Sequence, residues 1–177
     1  MDLCLLHLTR TDYVVSQWSG GTTTQIAIAP PGAVYGDRDF LWRLSSATVD
    51  LDESDFTPLP DYHRLIAPLR GEMILSHDGG APIVLEPCQV HAFDGGAATH
   101  SKGRCVDFNL MLRKGACQGR IYPIRLSAGE SWEFSVPRGT EDLLLYCVEG
   151  SGRLSAGAEH VSVLAGETAR AQKPDGA

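Results

Sequence analysis

The chain reads as a mainly β protein, a sandwich or barrel of many short strands. Three observations predict this. The apolar runs are short and closely spaced, 19 glycines and 10 prolines punctuate them, and convincing amphipathic helix is nearly absent. The best helical case is a turn or two around residues 50–55. With 177 residues, 43% of them hydrophobic and 21% charged, the chain can build a proper core in one large domain or two small fused ones.

Strands are expected, in chain order, at 25–29, 40–49, 64–69, 72–76, 83–85, 90–93, 106–112, 120–126, 143–148, 152–155 and 160–164. Each is bounded by Gly, Pro, Asp or Asn, residues that supply the backbone geometry of turns. The most informative stretch is Cys105-Val106-Asp107-Phe108-Asn109-Leu110-Met111-Leu112. Its alternation puts Val106, Phe108, Leu110 and Leu112 on one face, read as core. Cys105, Asp107, Asn109 and Met111 share the other. An acid and an amide on such a strand need partners or water, because burying them unpaired costs roughly 1–3 kcal/mol each. They are either a structural hydrogen-bond pair or the polar end of a small-molecule pocket.

Charge and cysteine usage narrow the function. A formal net charge of -7 and no Lys/Arg run argue against nucleic acid as a partner. Cys4, Cys88, Cys105, Cys117 and Cys147 show no C-x-x-C spacing, so they are expected as reduced thiols, mostly small core residues. No leader-like amino terminus and no apolar run of membrane-spanning length is present, which points to the cytoplasm and away from a membrane.

An internal echo sharpens the fold. Leu65-Ile66-Ala67-Pro68-Leu69-Arg70-Gly71-Glu72-Met73-Ile74-Leu75, a turn at Asp78-Gly79-Gly80, then Ile83-Val84-Leu85-Glu86-Pro87 repeats in kind later. The second copy is Leu144-Leu145-Tyr146-Cys147-Val148-Glu149-Gly150-Ser151-Gly152-Arg153-Leu154, a turn near Gly157, then Val161-Ser162-Val163-Leu164-Ala165-Gly166-Glu167. Such a strand–Gly–strand unit resembles the cupin family. Two copies imply a double-stranded β-helix (jelly-roll) bicupin across residues 1–177, with one cupin-like half at 1–113 and another at 120–177. The linker falls near residues 114–119. Cupin enzymes hold a metal through a His-x-His pair, a Glu and a later His. Neither half carries that set, so no metal and no cofactor is expected.

A closer resemblance covers about the first 115 residues. Trp18-Ser19-Gly20-Gly21-Thr22-Thr23-Thr24-Gln25-Ile26, Phe40-Leu41-Trp42-Arg43-Leu44-Ser45-Ser46-Ala47, Asp55-Phe56-Thr57-Pro58-Leu59-Pro60 with His63, Arg64 and Gly71, Phe93-Asp94-Gly95, and Asp107-Phe108-Asn109-Leu110-Met111 occur in that order. Together they are similar to the HutD/Ves family. The resemblance implies an accessory role beside histidine utilisation, sensing or buffering an intermediate such as formylglutamate or urocanate rather than catalysing a step. Many members carry a basic residue and an Asn after the first Trp; this chain goes straight from Trp18 to Ser19-Gly20-Gly21, so no contact by that Asn carries over.

The residues themselves also suggest a site for a small anion. Arg43 lies inside an otherwise uncharged strand and needs a carboxylate, either a ligand's or a protein's, with Asp107 or a surface acid the internal candidates. Arg64 follows a turn at a strand mouth, where its planar fork can grip a carboxylate or hold the loop as a rim charge. Asp107 and Asn109 would orient the ligand's polar end, and Thr23 and Trp18 would close the site. The leading reading is a binder of a small carboxylate metabolite without chemistry, and a homodimer is compatible with it. A metal-free isomerase or epimerase would instead use His63 or His100 as acid–base with Asp107 as partner. A barrel serving only as an interaction module is the third reading.

Overall fold

The computed structural model describes residues 4–133 and 135–173. Its regular structure is almost wholly strand, with a single short 3-10 turn at Tyr35–Asp37 among the described residues. Two compact units result, one of Val14–Pro123 and one combining Met1–Tyr13 with Ile124–Ala177.

The larger unit contains a six-stranded antiparallel sheet. Its order is β2 (Val14–Trp18), β3 (Gly21–Ala29), β4 (Trp42–Val49), β11 (Cys105–Arg113), β6 (Tyr62–Gly71) and β9 (His91–Asp94). A four-stranded sheet runs β5 (Glu53–Asp55), β10 (Thr99–Lys102), β7 (Met73–His77) and β8 (Ile83–Leu85). In the second unit β15 (Thr168–Gln172) lies between β1 (Cys4–Leu8) and β12 (Asp142–Tyr146), and β13 (Ser151–Ala156) forms a hairpin with β14 (Glu159–Leu164). The sequence boundary at 113 therefore misplaces the first strand: β1 pairs along its whole length with β15, so residues 1–13 group with the C-terminal unit.

Burial corrects the reading of β11. Its polar face, Cys105, Asp107, Asn109 and Met111, is the buried one, whereas Val106, Phe108 and Leu110 on the face read as core are only half-buried. Two apolar clusters bracket the polar residues. One joins Val49, Ile66, Met73, Leu75, Leu85 and Cys105; the other joins Phe40, Leu59, Tyr62 and Met111. The Tyr62 hydroxyl donates to the Phe40 carbonyl at 2.9 Å, and the two rings stack at 4.3 Å.

Two further expectations fail for identifiable reasons. Residues 50–55 form no helical turn but a bend leading into β5, which pairs with β10 as a strand; Glu53 meets Lys102 at 2.9 Å and Asp55 hydrogen-bonds His100 at 2.7 Å. Residues 120–126 form no strand; Tyr122, Ile124 and Leu126 are exposed, and no neighbouring ladder offers them hydrogen bonds among the described residues. All five cysteines are free thiols, with Cys105 and Cys147 buried. No helix is long and apolar enough to cross a membrane.

Candidate functional site

Strand register converts the sequence pattern into four rows across the inward face of the six-stranded sheet. The first contains Gly21, Val49, Cys105 and Gly71; the second Thr23, Ala47, Asp107 and Pro68. The third contains Gln25, Ser45, Asn109, Ile66 and His91, and the fourth Ile28, Arg43, Met111, Arg64 and Phe93. Two irregularities keep these residues on one face, one between Gln25 and Ala27 in β3 and one opposite Val106/Asp107 where β6 pairs with β11. Each inserts a residue that would otherwise invert everything beyond it.

Arg43 and Arg64 thus flank Met111 from opposite sides, and both are buried together with Asp107, Asn109 and Ser45. Arg43 Nε donates to Gln25 Oε1 at 2.8 Å, and its Nη1 donates to Ser45 Oγ at 3.2 Å. Its guanidinium lies 4.2 Å from the centre of the Tyr35 ring, and that of Arg38 lies 3.9 Å from the same ring. Arg64 is held by aromatic faces, 4.7 Å from Phe56 and 5.2 Å from Phe93. Such contacts favour a desolvated cation by about 2 kcal/mol at best, less than the several kcal/mol that removing a charge from water costs.

No described carboxylate forms an ion pair with either Arg43 or Arg64. The internal salt bridge to Asp107 that could have occupied Arg43 is not made. Instead, among the described residues Arg64 Nε, Asp107 Oδ1, Asn109 Oδ1 and Arg38 Nη1 are buried without hydrogen-bond partners, as is Ser101 Oγ on β10 in the four-stranded sheet. Native interiors seldom leave such atoms orphaned, and four around one strand face point to groups that a ligand completes.

Burial pushes the Asp107 carboxyl up to about 7, against the opposing pull of Arg64, a backbone hydrogen bond at Ala47 and Arg43. Burial likewise brings Arg64 down to about 10, although Asp107 acts to raise it. Arg43 is lowered too, by burial and then by Arg38. At neutral pH both guanidiniums remain charged while Asp107 is only partly ionised. This inward face is therefore net cationic.

The structure brings together Arg43, Arg64, Asp107, Asn109 and Thr23. Trp18 does not join them. It pairs with Gly21 at the Cys105 end of the sheet, on the outer strand β2, and is exposed with its ring over Gly20 and near Leu51. Of the alternative acid–base residues, His63 is exposed on the outward face, and His100 is bonded to Asp55 at 2.7 Å. Neither hydrogen-bonds to Asp107. Sequence reasoning missed Arg38, Tyr35, Gln25, Phe56 and the His77–His91 pair; only Gln25 was detectable, by its two-residue spacing from Thr23. Among the described residues no group of three or more His, Cys, Asp or Glu converges as metal ligands.

A family model described as HutD matches residues 10–177. Among solved structures, PA5104 from Pseudomonas aeruginosa PAO1, described as a conserved protein of unknown function, is 28% identical with a TM-score of 0.79, over 95% of this chain and 86% of that one. HutD from Pseudomonas fluorescens SBW25, in a formate condition, is 21% identical with a TM-score of 0.60, over 94% of this chain and 86% of that one. Ectoine synthase from P. lautus is 11% identical with a TM-score of 0.47, over 69% of this chain and 90% of that one. No curated protein matches the chain in sequence.

Proposed function

The chain belongs to the HutD family, and from that premise we propose that it is a cytoplasmic accessory protein of histidine utilisation that binds a small carboxylate metabolite without transforming it. One observation carries this reading: Arg43 and Arg64 are buried on either side of Met111 in β11, each without a carboxylate partner among the described residues. A bound carboxylate would accept from Arg64 Nε and offset two desolvated charges. Asp107 and Asn109 then present orphaned acceptors to an N–H donor elsewhere on the ligand, a combination that formylglutamate and urocanate both offer. Thr23 borders the row of Asp107. The strand–Gly–strand repeat in both units supports a bicupin, the site belonging to the larger unit.

Thermal unfolding in the presence of these acids tests the reading. Ligand at 100 times Kd stabilises by about 2.7 kcal/mol, which for a chain of this size raises Tm by about 5–10 °C. Arg64→Gln and Arg43→Gln should each abolish the shift while remaining folded. A wild-type Tm that no member of a broad acid panel moves would sink the proposal.

A further inference from the structure

His77, on β7, and His91, on β9, meet outside the arginine row. Their Nε2 atoms are 3.0 Å apart, and the rings are nearly coplanar, tilted by 16° with centres 5.2 Å apart. The centre separation is close to the nitrogen gap plus two ring radii. The imidazoles therefore meet edge to edge, sharing one N–H, with their lone pairs opposed rather than convergent as a chelate requires.

The neighbouring contacts favour one assignment of the protons. Thr99 Oγ1 lies 2.8 Å from His77 Nδ1 and donates to the Ala97 carbonyl at 3.2 Å. Its single proton being spent there, the hydroxyl accepts from His77 Nδ1–H. A neutral His77 then has a bare Nε2, which accepts from His91 Nε2–H. This leaves His91 Nδ1 bare, and it has no hydrogen-bond partner among the described residues. In the reverse order the Thr99 hydroxyl would donate to His77 Nδ1 and leave the partly exposed Ala97 carbonyl to solvent, a state that the tautomer measurement distinguishes.

The pair is coupled to the anion site through one ring. Phe93 stacks on His77 at 4.7 Å and carries Arg64 at 5.2 Å. We propose that His77 and His91 form a proton relay ending at His91 Nδ1, so that an acid bound at Arg43 and Arg64 is taken up together with a proton. The uptake rests on the carboxylate-binding reading; the proton order does not. The charged groups acting on the pair are Asp78, in the turn after β7, and Arg64, on β6. Burial first, and Arg64 after it, hold His77 below the usual imidazole range, with Asp78 opposing; burial and then His77 do the same to His91. A carboxylate on Arg64 offsets that repulsion and makes the pair more basic. Protonating His91 Nδ1 keeps the Nε2–H bridge intact. By linkage, acid pH must then tighten anion binding.

Nitrogen-15 NMR of the full-length protein with formylglutamate or formate as probes tests this, since both stay ionised between pH 6 and 8. The free protein should show the Nδ1–H tautomer at His77 and the Nε2–H tautomer at His91. On saturation near pH 6.5 the His91 Nδ1 resonance should move to the protonated position. From pH 8 to pH 6 wild-type affinity should rise by up to about tenfold for a one-unit pKa change at His91, on top of the contribution of Asp107, which titrates at about 7 in the same site, and His91→Gln should lose the histidine share. The reversed tautomers, an unmoved Nδ1 resonance on binding, or an unaltered pH dependence in His91→Gln would each overturn the relay and leave carboxylate binding standing. If neither probe binds, the coupled uptake fails along with the carboxylate reading, and the tautomers alone decide the proton order.

Discussion

Asp107 is the residue whose environment departs furthest from its chemistry. Its carboxyl is raised to about 7 by burial, above the ordinary carboxylate range. Folding therefore favours its protonated form: that contribution is complete below about pH 4 and is lost as pH rises through 7. Asp107→Asn should abolish this dependence. We expect the urea midpoint of wild type to fall relative to that of Asp107→Asn between pH 4.5 and 8, by at most about 4 kcal/mol in stability. Equal midpoint differences at both pH values would show that Asp107 is not buried as described. The sequence marked Asp107, Asn109 and Arg43 because polar side chains interrupted apolar strands, and Arg64 because it follows a turn at a strand mouth. It could not show whether Arg43 faced Asp107 or a ligand, since that depends on where long side chains end after packing.

At the scale of elements, strand β11 shows why alternation alone misassigns a face. Two-residue periodicity sorts side chains into two sets but does not say which set faces inward. The apolar set looked like core, yet Asp107 and Asn109 are buried while Val106, Phe108 and Leu110 are only half-buried, Leu112 alone of that set being buried. Register is also set by details that hydropathy does not carry. Gly71 ends β6 with φ of 83°, beside the irregular pairing at Val106/Asp107, and a Cβ there would collide with the Arg104 carbonyl oxygen. Gly71→Ala should cost at least about 1–3 kcal/mol, read as a lowered denaturation midpoint. Leu75→Ala, within the apolar cluster below the site, should cost about 2–5 kcal/mol and leave ligand-induced stabilisation measurable. A neutral Gly71→Ala would mean that the turn relaxes freely. The short strands β5 and β10 escaped sequence reading because Glu53-Ser54-Asp55 and Thr99-His100-Ser101-Lys102 carry little apolar signal; the backbone ladder that joins β10 to β5 and β7 and the buried Thr99 and Ser101 define them.

For the whole molecule, the chain closes one unit with strands from both of its ends. β1 supplies an entire edge of the β1-β15-β12 sheet, so removing residues 1–13 would leave β15 with an open edge. Hydrogen exchange in such a truncation should accelerate most at Thr168–Gln172 and Asp142–Tyr146; unchanged protection there would show that β1 is dispensable. By itself the sequence determined the mainly β class, most strand positions, the family resemblance and the fact that Arg43, Asp107 and Asn109 interrupt apolar strands. Those follow from local periodicity, turn residues and the rarity of charge within apolar runs. Only the tertiary structure decided that β1 belongs with β15, that Trp18 stands apart, and that His77 and His91 meet at 3.0 Å. Such facts depend on pairings between residues distant along the chain, and a pattern read over a few neighbouring positions does not encode which distant strand becomes the partner.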